Sequence, residues 1–177
     1  MDRLDVLIEA LRLKSLPRAG WERRGVERPE SVASHSWGVA WLVLALAPSD
    51  LDRGRALAYA TLHDLAEVRT GDLTPADGVP PDVKARRERA AFADIARHAG
   101  APALLDLWDA YEAKADRESR FVRELDRLDM ALQALAYRRA GAQGMREFLE
   151  SADTAIADPA LRPLVDAIRA RFAEVGP

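Results

Sequence analysis

Apolar residues in this chain return at intervals of three and four, and nowhere do they alternate with polar ones over a strand's length. A helix of 3.6 residues per turn puts such positions on one face, whereas a half-buried strand needs a period of two. The pattern restricts the chain to an all-α fold. Leu4, Leu7, Ile8 and Leu11 form the first stripe. Phe121, Val122, Leu125, Leu128, Leu132 and Leu135 form the longest.

Punctuation divides the helices. Pro17, Gly20, Gly25 and Pro29 make residues 15–29 an irregular loop. A second helix is expected from near Ser31 to before Pro48. Asp52 is a natural N-cap for a third, running to about Arg69 and closed by Gly71. Gly71, Pro75, Gly78, Pro80 and Pro81 make a second loop over 70–82. Further helices are expected over about 82–99, 102–115, 117–140, 144–151 and 159–174. The expectation is one compact bundle over residues 1–177, with helices 144–174 packed on the rest.

Composition narrows the function. There is no cysteine, which removes disulfides, thiolate zinc sites and cysteine nucleophiles together. A net charge of −3 argues against nucleic acid as the partner. The longest apolar run, Val39 to Pro48, falls far short of the roughly 20 residues that cross a bilayer. Met1-Asp2-Arg3-Leu4-Asp5 is no basic leader, so a cytoplasmic protein with no membrane contact is expected.

Polar residues interrupt the apolar faces. His35 shares its helical face with Val32, Val39, Leu42, Val43 and Leu46. His63 shares its face with Ala56, Tyr59, Ala60 and Ala66. Asp64 follows about 100° round the helix. Asp126 flanks the longest stripe and Asp129 falls within it. Taken singly, each histidine is an ordinary core residue. Taken together, inward-leaning carboxylates are expensive unless paired, and a divalent cation would neutralise them and use the neutral imidazoles. Periodicity does not show whether the helices meet. Glu67 lies one turn after His63 and Asp64, and Asp72 opens the following loop. Either is an ordinary surface or turn residue, or an acid–base group beside the ion.

Four ordered segments carry a resemblance. They are Leu16-Pro17-Arg18-Ala19-Gly20-Trp21; Arg28 to His35; His63-Asp64-Leu65-Ala66-Glu67 with Gly71-Asp72 and Pro75-Ala76-Asp77; and Glu124-Leu125-Asp126-Arg127-Leu128-Asp129-Met130. Together they resemble the HD-domain phosphohydrolases, and within them the 5′-deoxynucleotidase branch. The resemblance implies an all-α scaffold with its motifs within about residues 15–130. It implies a divalent metal (Mn, Co, Zn, Fe or Mg) on His35, His63, Asp64 and Asp126. It implies hydrolysis of deoxynucleoside 5′-monophosphates to deoxynucleoside and phosphate. It gives Glu67 and Asp72 catalytic roles, places a second ion near them in some members, and assigns the substrate to Arg18, Trp21 and Asp72. Some members have the arginine and tryptophan adjacent, whereas Ala19 and Gly20 separate them here. A homodimer is also implied. The alternatives are a related hydrolase for another small phosphate ester, or a nucleotide-binding protein that hydrolyses nothing.

The remaining candidates read as structural. Trp37 and Trp41 are expected to be a packed aromatic pair, and Trp108 and Tyr111 core or dimer surface. Lys84 to Arg89 reads as a solvated face, and His98 as inert.

Overall fold

The computed structural model describes residues 1–175. Its elements are helical throughout, apart from one isolated antiparallel bridge between Pro17 and Ser31. The helices are α1 (Arg3–Ala10), α2 (Ala19–Arg23), α3 (Val32–Leu46), α4 (Arg53–Leu62), α5 (Glu67–Thr70), α6 (Pro81–His98), α7 (Leu104–Glu112), α8 (Arg117–Arg139), α9 (Arg146–Ala155) and α10 (Arg162–Glu174). Short 3₁₀ turns follow α1 and precede α6.

Starts follow local chemistry. Ser31 Oγ accepts the Ser34 N–H at α3. Asp52 Oδ1 does the same for Arg55 at α4, and Asp116 Oδ1 for Ser119 at α8. Each satisfies a backbone donor the helix cannot. Gly71 follows α5 at φ +77°, a backbone region that costs a residue with a Cβ.

The long helix α8 is the axis of the core. Val122, Leu125, Leu128, Ala131 and Ala134 are fully buried on it. They pack with Val39 and Val43 of α3, Ala56, Tyr59 and Ala60 of α4, Ala152 of α9, and Val165 and Phe172 of α10. Ala66, Phe92, Ala96 and Trp108 form a smaller cluster, where α6 and α7 close over the region after α4. No described helix is long and apolar enough to cross a membrane.

Five expectations need correction. The third helix is not continuous: it stops at Leu62, and His63-Asp64-Leu65-Ala66 form turns before α5. The loop over 15–29 contains α2, and its ends are stitched by Arg18 N–H to Glu30 O (3.0 Å) and Val32 N–H to Leu16 O (2.9 Å). Leu4, Leu7, Ile8 and Leu11 face outward, and α1 is anchored by buried Val6. Trp37 and Trp41 are also exposed, at 71% and 54%, so the packed pair is absent. Leu132 leaves the α8 stripe for the surface. Periodicity identifies a face but not what covers it.

Candidate metal centre

Three elements deliver the central groups. His35 projects from the second turn of α3 and is fully buried. His63 ends α4, and Asp64 follows in the turn. Asp126 lies midway along α8. His35 Nε2 stands 3.3 Å from His63 Nε2 and 3.2 Å from Asp126 Oδ1. Asp64 Oδ2 lies 3.3 Å from His63 Nε2 and 3.8 Å from His35 Nε2. One atom from each of His35, His63 and Asp126 falls within 4.8 Å of the others.

The outer nitrogens set the tautomers. His63 Nδ1 lies 3.0 Å from the Ala60 carbonyl oxygen, so that nitrogen carries the proton. His35 Nδ1 lies 2.8 Å from Asp129 Oδ2. With both rings neutral, the two Nε2 lone pairs would then point at each other and at two carboxylates. Such an arrangement repels itself unless a positive charge stands between. The spacings are those of neighbouring ligands on one first-row cation, whose bonds to nitrogen and oxygen are about 2.0–2.2 Å. The donor set of two imidazoles and two carboxylates, without thiolate, fits such an ion.

The two carboxylates call for positive charge, which a proton on His35 supplies here and a cation would replace. Burial and Arg18 both oppose charging of His35, yet Asp126 and Asp129 overcome them and push it up to about 10. Asp64 and Asp126 are held well below the usual carboxylate range. Burial acts against this, but the charge and hydrogen bond of His63 win at Asp64, and those of His35 win at Asp126.

A second ring of groups lies beside this centre. Arg18 Nη1 donates to Asp64 Oδ2 (3.3 Å) and Asp72 Oδ1 (3.4 Å). Asp72 Oδ2 also accepts the Ala19 N–H at 2.8 Å, tying the loop after α5 to the start of α2. Glu67 is buried, and its Oε2 has no hydrogen-bond partner. Burial first, then the charges of Asp64 and Asp72, raise its carboxyl well above the usual range. A buried carboxyl oxygen left unpaired is costly and makes Glu67 a candidate functional residue.

Of the eight residues singled out from the sequence, six gather here in direct contact, Arg18, His35, His63, Asp64, Asp72 and Asp126, and Glu67 is coupled to them by charge. Trp21 does not face them. It is 2% exposed, packed on Phe148 and Tyr137, with its indole N–H on Glu30 Oε1 at 2.9 Å. Glu30 is a residue sequence reasoning missed. It forms a further close group with His35 and Asp129. The buried-face position of Asp129 was legible, but no periodic signal marks Glu30. Trp108 and Tyr111 are buried, and Trp108 Nε1 donates to the His63 carbonyl at 3.4 Å. His98 bonds within α6, to the Asp94 carbonyl.

Comparison with known proteins places this geometry. The chain is 38% identical over 128 residues to the human (Homo sapiens) protein named 5′-deoxynucleotidase HDDC2, covering 71% of this chain and 63% of that relative. It therefore spans just under two thirds of that relative's length. The Xenopus laevis protein of the same name is 36% identical over 163 residues, covering 88% of this chain and 80% of the relative. A solved structure of a conserved hypothetical protein from Pyrococcus furiosus superposes with a TM-score of 0.81 at 33% identity, over 94% of this chain and 99% of that one. The family model described as the HD domain matches residues 10–161, and the chain belongs to the HD-domain family.

Proposed function

We propose that this protein hydrolyses deoxynucleoside 5′-monophosphates to deoxynucleoside and phosphate, using a divalent cation held by His35, His63, Asp64 and Asp126. One observation carries the reading: two imidazole lone pairs and two carboxylates converge beside Arg18 and an unpaired buried Glu67. The relatives named 5′-deoxynucleotidases support the substrate class. The cation, when bound, would polarise the phosphoryl group and lower the pKa of bound water.

The chain's own residues supply the rest. Arg18 has a planar fork suited to phosphate and is held by Asp64 and Asp72. Asp72 has its oxygens engaged by Ala19 N–H and Arg18, so its role is to aim Arg18 and border the sugar. Glu67 has a free oxygen and a raised carboxyl. Already protonated, it gives its proton to the departing 5′ oxygen as the P–O bond breaks, and takes one back from the water whose oxygen bonds to phosphorus, so a neutral hydroxyl leaves. Trp21 contributes indirectly, as the wall behind Glu30.

We further infer that residues 1–177 form one HD domain, working in the cytoplasm as a homodimer without nucleic acid. The exposed apolar stripes of α1 and α3 support the dimer, and the net charge of −3 supports the last exclusion.

The test is phosphate release from a panel of 5′-dNMPs and 5′-NMPs. Chelator-stripped protein is resupplied with Mn²⁺, Co²⁺, Zn²⁺, Fe²⁺ or Mg²⁺, with Asp64→Ala as control. Metal-dependent release from dNMPs, weak on NMPs and lost in the variant, is expected. Uptake of metal with every nucleotide intact would point to another phosphate ester or to binding without hydrolysis. No metal uptake would end the reading.

A further inference from the structure

His35 is fully buried and reached from outside the cluster on its Nδ1 edge. There, Asp129 Oδ2 stands at 2.8 Å. Asp129 is one turn along α8 from Asp126, which meets the other edge of the same ring at 3.2 Å. The imidazole is thus clasped by two carboxylates of one helix, one on each nitrogen. Asp129 is also within reach of Glu30, which Trp21 holds by its indole N–H.

A separate feature of α3 fits this arrangement. Gly38 sits in the interior of that helix, three residues after His35, where glycine is disfavoured. A Cβ built there would come within 3.0 Å of Asp129 Cγ and collide outright with Oδ1. The nearest atoms to that Cβ all belong to Asp129. Gly38 is therefore the gap in α3 that the Asp129 carboxylate fills.

We propose that Asp129 is the positioning residue of the metal centre: seated in the gap left by Gly38, it accepts the Nδ1 proton of His35 and fixes the ring with Nε2 aimed at the cation. A carboxylate on the outer nitrogen sets both tautomer and orientation and makes the inner nitrogen a better donor. Asp129 touches neither cation nor substrate in this assignment. The proposal rests on the metal-centre reading above.

Zn²⁺ is the probe, because it is diamagnetic and needs no substrate. Its affinity is measured by competition with a chromophoric chelator for wild type, Asp129→Ala, Asp129→Asn and Gly38→Ala, with circular dichroism confirming the fold of each. Asp129→Ala is expected to bind Zn²⁺ about 10–100-fold more weakly. Asp129→Asn, which keeps an acceptor but loses its charge, should fall between. Gly38→Ala should weaken binding with every ligand still present, since it only displaces Asp129. Folded Asp129→Ala and Gly38→Ala proteins that bind within about twofold of wild type would overturn the proposal while leaving the metal centre standing. Wild type that takes up no Zn²⁺ would overturn the centre and the proposal with it. Imidazole ¹⁵N spectra of Zn²⁺-loaded wild type need no variant to fold. They should show His35 protonated on Nδ1, and a proton on Nε2 would overturn the assignment.

Discussion

Glu67 pairs a structural cost with a chemical use. Its carboxyl is buried, its Oε2 has no partner, and Asp64 and Asp72 hold negative charge beside it. The raised folded-state pKa means that the folded protein keeps a proton which the unfolded chain releases above about pH 4.3. Stability is therefore lost as pH rises above that value, through the window up to the folded pKa. Glutamine has the same shape and cannot ionise. Metal-stripped Glu67→Gln should melt higher than wild type at pH 8, with the gap closing towards pH 4. The scale is about 2–4 °C per kcal/mol for a chain of this size. Phosphate release by the loaded variant should drop about 10²–10⁴-fold. Thermal melts across pH and one turnover assay check both. A variant that turns over like wild type would remove Glu67 from the proton path.

At the level of elements, α8 joins the structure at its cap as well as along its stripe. Asp116 Oδ1 accepts the Ser119 N–H at 2.7 Å, while Oδ2 accepts both the Tyr59 hydroxyl and Arg55 Nε of α4 at 2.6 Å. Burial resists its charge, but these bonds bring Asp116 down to about 2. A depressed carboxylate adds stability that is present above its unfolded pKa of about 3.9 and is lost as pH falls through the folded value. Asp116→Ala should cost about 1–3 kcal/mol at pH 7, from the lost cap and a weakened Tyr59 hydrogen bond. Urea unfolding at pH 7 and pH 2.5 checks this, and a deficit that does not shrink at the lower pH would refute the charge argument. The break after α4 also belongs to this scale. On an unbroken helix, His63 and Asp64 would diverge by about 100°. The turn over residues 63–66 lets both approach His35. No glycine or proline announces it, so local rules extend the helix through it.

Across the whole molecule, the large apolar residues left outside are concentrated on two elements. Leu4, Leu7, Ile8 and Leu11 lie on α1 and the turn after it, and Trp37, Trp41 and Leu44 on α3. The turn after α1 packs against α3, so the stripes neighbour each other. Contiguous exposed apolar area of this kind marks an interaction site. With light scattering, wild type should weigh twice the 19.5 kDa chain, and a Trp37→Glu/Trp41→Glu double variant should weigh one chain with its helical content kept. A wild-type monomer would remove the dimer from the proposal.

The sequence by itself determined what is local. The spacing of apolar residues, the caps at Ser31, Asp52 and Asp116, and the glycine after α5 specify helices and most of their ends, because each acts within one or two turns. It also exposed His35, Asp126 and Asp129 as polar groups on or beside covered faces. Only the tertiary structure decided that α3, α8 and the turn after α4 meet at one point, since their residues lie 28 or more positions apart and a helical period carries no information across that gap. It alone decided which sides of α1 and α3 stay bare and that Trp21 stands behind Glu30. It also explained Gly38, whose missing side chain makes sense only once α8 lies against it.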